Sequence, residues 1–198
     1  MTGRTRAVLD RRWAVKTLLA ELGDMLVVTG LGSPTYDVFA AGDHEANFYL
    51  WGAMGGAALV GLGLAIAQPT RPVTVVTGDG EQLMGLGGLA TIAVKAPANL
   101  SIVVIDNGHF GETGGQLSHS GLGVDLAQVA RAVGFADVRD ICAEAELVAA
   151  RAALGATTGG PRFFTIRVAH EDKPRALPAR DGVFLKSRLR THLGFPVR

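Results

Sequence analysis

Apolar and polar positions divide the chain into short β-branched runs separated by segments with a helical period. Asp10 to Glu21 predicts an amphipathic helix with Trp13, Leu18, Leu19 and Leu22 as core positions. Met25 to Thr29 predicts a buried strand, Asn47-Phe48-Tyr49 a short one, and Gly56 to Ala67 a helix of small apolar residues. Val73, Val75 and Val76 mark a strand that breaks at Gly78-Asp79-Gly80. A helical segment follows, and Ile102 to Ile105 is the next strand. Beyond it the pattern predicts a helix over 124–134, a strand over 136–141, an Ala-rich helix over 144–154 and a last strand over 162–168. Six strands alternating with helices are the pattern of a parallel sheet covered on both faces.

Composition narrows this picture. With 198 residues, 48% hydrophobic and 19% charged, the chain can bury the core of one domain. A net charge of +1 gives no reason to invoke nucleic acid or a membrane surface. The single cysteine, Cys142, excludes a disulfide framework within the chain and any four-cysteine iron–sulfur or zinc site. The start carries Arg4, Arg6, Arg11 and Arg12 without an apolar stretch, so no signal peptide is expected. The most membrane-like run, 52–67, falls short of the ~20 residues a spanning helix needs. A cytosolic setting is the expectation. From Glu171 the chain becomes basic and proline-bearing, with a short helix expected over 183–193; it reads either as a solvated end or as a segment that docks on a partner.

The candidate chemistry lies between Val73 and Gln116. Parallel strands joined by a crossover helix put their C-terminal tips on one edge of the sheet, so Asp79 and Asn107 are expected to meet. A carboxylate, an amide oxygen and a backbone carbonyl are hard donors of the kind Mg²⁺ takes, with phosphate and water completing its shell. Gly78 and Gly80 let the backbone approach a phosphate, and the helix start after them favours an anion. Ser33-Pro34-Thr35, following the first strand, predicts a second such helix start with Ser33 as possible N-cap. Gly85 to Ala90 fits a loose GxGxxA, but inside a helical segment those glycines are expected to serve close packing.

GDG followed by 26 residues and Asn107 resembles the signature of enzymes that bind thiamine diphosphate. The resemblance implies a three-layer αβα fold with a six-stranded, mainly parallel sheet, the thiamin diphosphate-binding fold, over residues 1–170, followed by a basic tail over 171–198. It implies that Asp79, Asn107 and the carbonyl of His109 hold Mg²⁺ on the diphosphate. Gly52-Ala53-Met54-Gly55 is similar to the segment in which the bulky residue, here Met54, props the cofactor into a bent shape while the Gly52 carbonyl accepts from its aminopyrimidine. By the same likeness Ser33, Thr35, Gly78, Gly80 and Glu81 surround the cofactor, as do Phe110, Gly111 and Thr113.

Asn47-Phe48-Tyr49 and the run from Asp106 to the Thr113-Gly114-Gly115-Gln116 element are similar to sulfopyruvate decarboxylase β subunits and to the C-terminal part of phosphonopyruvate decarboxylase. The same TGGQ element occurs in β subunits of 2-oxoacid:ferredoxin oxidoreductases. In this family a glutamate on a separate pyrimidine-binding domain activates the cofactor, and this chain is expected to supply only the diphosphate-binding half. The implied assembly is α2β2 or larger, a 2-oxoacid decarboxylase releasing an aldehyde and CO₂, with an oxidoreductase or carboligase as the alternative. His109, His119 and Glu112 are the candidates for proton transfer or for anchoring the substrate, against the plain reading that they are polar loop residues. His44 could approach the same edge, whereas His170 and His192 look peripheral. The loop 117–121 could cover the cofactor.

Overall fold

Leu26–Thr29 (β1) and Leu100–Asp106 (β4) are buried at every residue, as strands with helices on both faces must be. The computed structural model describes residues 8–21 and 23–195. Its main sheet adds Asn47–Tyr49 (β2), Val73–Gly78 (β3), Asp137–Ile141 (β7) and Arg162–Arg167 (β8). The order is β2-β1-β3-β4-β8-β7, parallel throughout, with Leu26 opposite Val73 and Val73 opposite Leu100. A small antiparallel hairpin, His109–Phe110 (β5) with Gln116–Leu117 (β6), stands apart from it.

Alternate strand residues point to opposite faces, which sorts the helices. Val27, Val76, Val103 and Phe164 pack with Arg11–Leu19 (α1), Ser33–Ala41 (α2) and Glu144–Leu154 (α7). Leu26, Val75, Ile102 and Phe163 pack on the other face with Ala57–Ala67 (α3), Gly88–Lys95 (α5) and Leu126–Val133 (α6). The expected six-stranded, three-layer α/β architecture is therefore the observed one.

The segment after Gly78 is two helices, Asp79–Met84 (α4) and α5, because Gly85 and Gly87 interrupt it. Close packing explains Gly85: a Cβ there would stand 2.2 Å from the Gly55 carbonyl oxygen. Trp13, expected in the core, is 36% exposed, while Leu18 and Leu19 are buried; Leu22 lies outside the described residues, as do Arg4, Arg6, Pro196 and Arg198.

Residues 171–181 cross the domain as an extended strap. Lys173 Nζ reaches Asp10 Oδ2 at 2.5 Å, Arg12 donates to the Pro174 carbonyl, and Trp51 Nε1 donates to the Ala179 carbonyl at 2.9 Å. Gly182–His192 (α8) then lies against the edge strand β2, where Arg188 donates to Asp43 Oδ2 at 2.7 Å and to the Asn47 carbonyl at 2.8 Å. An open sheet edge is thereby covered. Among the apolar residues of α8 and its C-cap, Leu185 is buried, Leu189 and Leu193 are half-buried, and Phe184 is exposed.

Candidate functional site

The strand order fixes where a ligand can sit. The chain leaves β1 for β2 on one side and returns to β3 on the other, so a crevice opens beyond the C-terminal ends of β1 and β3. A cleft of about 210 Å³ lies there, walled by the loop 31–34, by Gly78 to Glu81 and by Asn107 with 109–113. Asp79 and Asn107 share this wall.

Asp79 is 2% exposed at the start of α4. Its Oδ2 accepts from Ser118 Oγ and, at 2.9 Å, from Ser120 Oγ. Burial pushes its carboxyl above the usual range, Ser118 pulls it back, and the Asp106 charge pushes it further up. Asp106 is held in turn: Oδ2 meets Arg167 Nη1 at 2.8 Å, and Oδ1 accepts from Gly108 N at 3.0 Å. Such a buried carboxylate is stabilised in its charged form by a nearby cation.

Asn107 Oδ1 accepts from His109 N at 2.9 Å, which fixes the amide oxygen at the strand tip. The carbonyls of Gly108 and Phe110 accept from Ser118 and Gly115 across the hairpin. Successive carbonyls of an extended chain point opposite ways, so the His109 carbonyl points away from that hairpin partner. Among the described residues no three His, Cys, Asp or Glu side chains converge as a metal site. The donors available are one carboxylate, one amide oxygen and one carbonyl, a set suited to Mg²⁺ when phosphate and water complete the shell.

The β1–α2 turn supplies the opposite wall. Gly32 at φ 73°, and not Ser33, is the N-cap of α2, and no side chain caps its free N–H groups. Ser33 lines the cleft; Thr35 is buried behind it, donating to the Gly30 carbonyl and lying 2.7 Å from Thr29 Oγ1. Thr35 thus shapes the turn and does not face the cleft. Glu81 Oε2 accepts from Leu31 N at 2.9 Å, and a Cβ at Gly30 would lie 1.5 Å from that oxygen, so a side chain there would displace the carboxylate. Glu81 Oε1 is buried with no hydrogen bond of standard geometry; burial raises this carboxyl, while Leu31 N and then the Thr77 hydroxyl draw it back. Met54 lines the cleft at 43% exposure; Gly52, at φ 75°, is exposed on the same loop but outside the cleft wall.

Gly80 packs on Phe110, where a Cβ would come within 2.7 Å of Cδ1. Gly111 and Thr113 line the cleft with Glu112, whose carboxylate stands 3.5 Å from Arg175 Nη2. His109 lines it too, stacked on His170 with centroids 4.0 Å apart. His170, peripheral by the sequence reading, lies outside the cleft wall but stacks on it through His109 and lines the polar cavity beside it. His119 does not enter the cleft: it is exposed and packs edge-on against Phe110 at 6.0 Å. His44 precedes β2 and so sits at the opposite end of the parallel strands, facing His192 at 5.6 Å.

Sequence reading missed Ser118, Ser120 and Arg11. The two serines sit at the head of a turn over 119–123, where Leu122 N donates to the Ser118 carbonyl, and no strand or helix period in the sequence marked them. They put the loop 117–121 beneath Asp79 as a support, not above the cofactor cleft as a cover.

An open parallel sheet with a crevice at its strand ends, and a carboxylate and an amide at adjacent strand tips lining it, defines an open α/β domain that binds ligands at that edge. The chain belongs to the thiamine pyrophosphate enzyme family through the C-terminal TPP binding domain, which matches residues 35–166. It is 42% identical over 183 residues to phosphonopyruvate decarboxylase of Streptomyces viridochromogenes, covering 89% of this chain and 45% of that protein. It is 41% identical over 132 residues to sulfopyruvate decarboxylase subunit beta of Methanothermobacter thermautotrophicus, covering 67% of this chain and 70% of that subunit. Benzoylformate decarboxylase from Polynucleobacter necessarius superposes with a TM-score of 0.70 at 21% identity, over 88% of this chain and 36% of that one. The chain thus spans less than half the length of the phosphonopyruvate decarboxylase it matches, and most of the sulfopyruvate decarboxylase subunit.

Proposed function

We propose that this chain is the diphosphate-binding half of a cytoplasmic, Mg²⁺- and thiamine diphosphate-dependent decarboxylase of 2-oxo acids, of the sulfopyruvate or phosphonopyruvate kind. A separate pyrimidine-domain subunit completes each active site in an α2β2 or larger assembly. The reading is carried by one observation, the meeting of Asp79 and Asn107 in the wall of a cleft that also holds the uncapped start of α2 and Met54. Relatives named as decarboxylases, three of them as beta subunits, support it. No helix among the described residues is long and apolar enough to cross a membrane.

When bound, thiamine diphosphate supplies the carbanion and electron sink that let CO₂ leave a 2-oxo acid. The protein's part is placement. Asp79, Asn107 and the His109 carbonyl would hold Mg²⁺, and the α2 amides and the Gly78–Gly80 backbone would receive the diphosphate. Met54 is a pliable apolar wedge at the cleft wall. His109, oriented by its Nδ1 contact of 2.7 Å to the Asn107 carbonyl and by the stack on His170, is the side chain best placed to hold or pass a proton. Glu112 lines the same cleft, with Arg175 as its counter-charge.

Native mass spectrometry of this chain, alone and with the product of the adjacent reading frame, in Mg²⁺ and thiamine diphosphate, tests the proposal. A heteromer carrying one cofactor per pair, releasing CO₂ from 2-oxo acids without reducing a ferredoxin-like acceptor, is the expected result. A cofactor-free homo-oligomer under both conditions overturns it, and acceptor-dependent turnover redirects it to an oxidoreductase.

A further inference from the structure

Arg11 is an unusual residue to find beside this cleft. It opens α1, is 5% exposed, and walls both the cleft and the polar cavity next to it, in each case alongside Ser33 and Asn107. A buried arginine needs an anion, and Asp37 on α2 is the obvious one: Arg11 Nε lies 2.6 Å from its Oδ2. Two features leave that pairing incomplete. Arg12 Nε also holds Asp37, at 3.2 Å from Oδ1, so two guanidiniums share one carboxylate. The Arg11 contact is also close without being aligned, because Nε and Oδ2 are both buried with no hydrogen bond of proper geometry. Arg11 shares both cavity walls with Ser33, at the uncapped start of α2, a nine-residue helix whose first N–H groups have no side-chain acceptor.

We infer that Arg11 and the start of α2 together bind the terminal phosphate of the diphosphate. The inference rests on the cofactor reading given above. A guanidinium donates two parallel N–H bonds to a phosphate, and Arg11 is already fixed by its salt bridge, so little side-chain freedom is lost on binding. Asp37 is the positioning residue, holding the Arg11 stem against α2 while Arg12 balances the carboxylate.

The test titrates the chain, co-expressed with the product of the adjacent reading frame, in Mg²⁺ with thiamine diphosphate and with thiamine monophosphate, which lacks the terminal phosphate. Arg11→Gln should raise the diphosphate Kd at least tenfold and change the monophosphate Kd less than twofold. Because the substitution leaves Asp37 with one partner fewer, Arg11→Gln/Asp37→Asn is measured beside it with its thermal midpoint. The diphosphate-specific loss should persist there even when the midpoint recovers. An equal loss for both ligands, a loss reversed by Asp37→Asn, or no loss overturns the inference. A wild-type chain that does not prefer the diphosphate overturns the cofactor reading itself.

Discussion

Asp79 and Asp106 stand at the tips of adjacent strands and are bridged by one hydroxyl: Ser120 Oγ lies 2.9 Å from Asp79 Oδ2 and 2.8 Å from Asp106 Oδ1. One carboxylate faces the cleft, while the other is tied to Arg167 behind it. The bridge keeps two buried acids of like charge in fixed register. Ser120→Ala is expected to weaken Mg²⁺-dependent cofactor retention about tenfold and to lower stability by about 1–2 kcal/mol, the cost of leaving buried acceptors short of a donor. Calorimetric titration and thermal unfolding of the purified variant read the two effects separately, and unchanged affinity would show that Asp79 needs no such support.

Asp79→Asn keeps the shape of the side chain and removes its charge. With one carboxylate in the proposed donor set, the variant should retain cofactor at least a hundredfold more weakly, and addition of EDTA should make wild type resemble it. Native mass spectrometry with and without chelator reads the difference. Equal retention by variant and wild type would remove Asp79 from the metal site.

Much of this was legible in the sequence for a physical reason. Period-two apolar runs bounded by glycine and proline have few alternatives in an α/β chain, and the GDG-to-Asn spacing is what one crossover connection requires. The less legible parts are those set by direction and by distant contacts. Thr35 lies two residues from Ser33, yet the turn buries it against Gly30. Ser-His-Ser turns its serines, and not its histidine, toward the site. His44 was expected near the same edge only because it is close to β2 in sequence, but a residue that precedes a parallel strand lies at its N-terminal tip, away from the cleft. The strap and α8 carry polar contacts as distant as Arg12 to Pro174 and Asp43 to Arg188, which no local pattern encodes.

Gly85 joins stability to function. Any side chain there must displace the Gly55 carbonyl, which belongs to the loop that presents Met54 to the cleft. Gly85→Ala should cost about 1–3 kcal/mol, as overpacking of a close backbone contact does. It should also weaken cofactor binding, whereas Gly63→Ala, on an open face of α3, should do neither. Thermal melts paired with cofactor titrations of both variants decide this; a destabilised Gly85→Ala chain with normal affinity would separate the loop position from the cofactor.

The strap should hold in a defined pH window. Lys173 donates to Asp10, and this hydrogen bond, with that from Trp13 N, holds the Asp10 carboxyl below its ordinary value. The same bond raises Lys173 above its own. For the depressed acid, the contribution to stability is present above the ordinary carboxylate pKa of about 3.9 and is lost as pH falls through the lower folded value. For the raised base, it is present below the ordinary lysine pKa of about 10.4 and is lost as pH rises through the higher folded value. Backbone order over 171–181, read from ¹³Cα relaxation, should therefore be level near neutrality and fall at both extremes. Asp10→Asn should show reduced order already at pH 7, modestly, because both side chains are partly exposed and salt screens the pair. Order that ignores both pH and the substitution would mean that the strap is held by Trp51 and α8 alone.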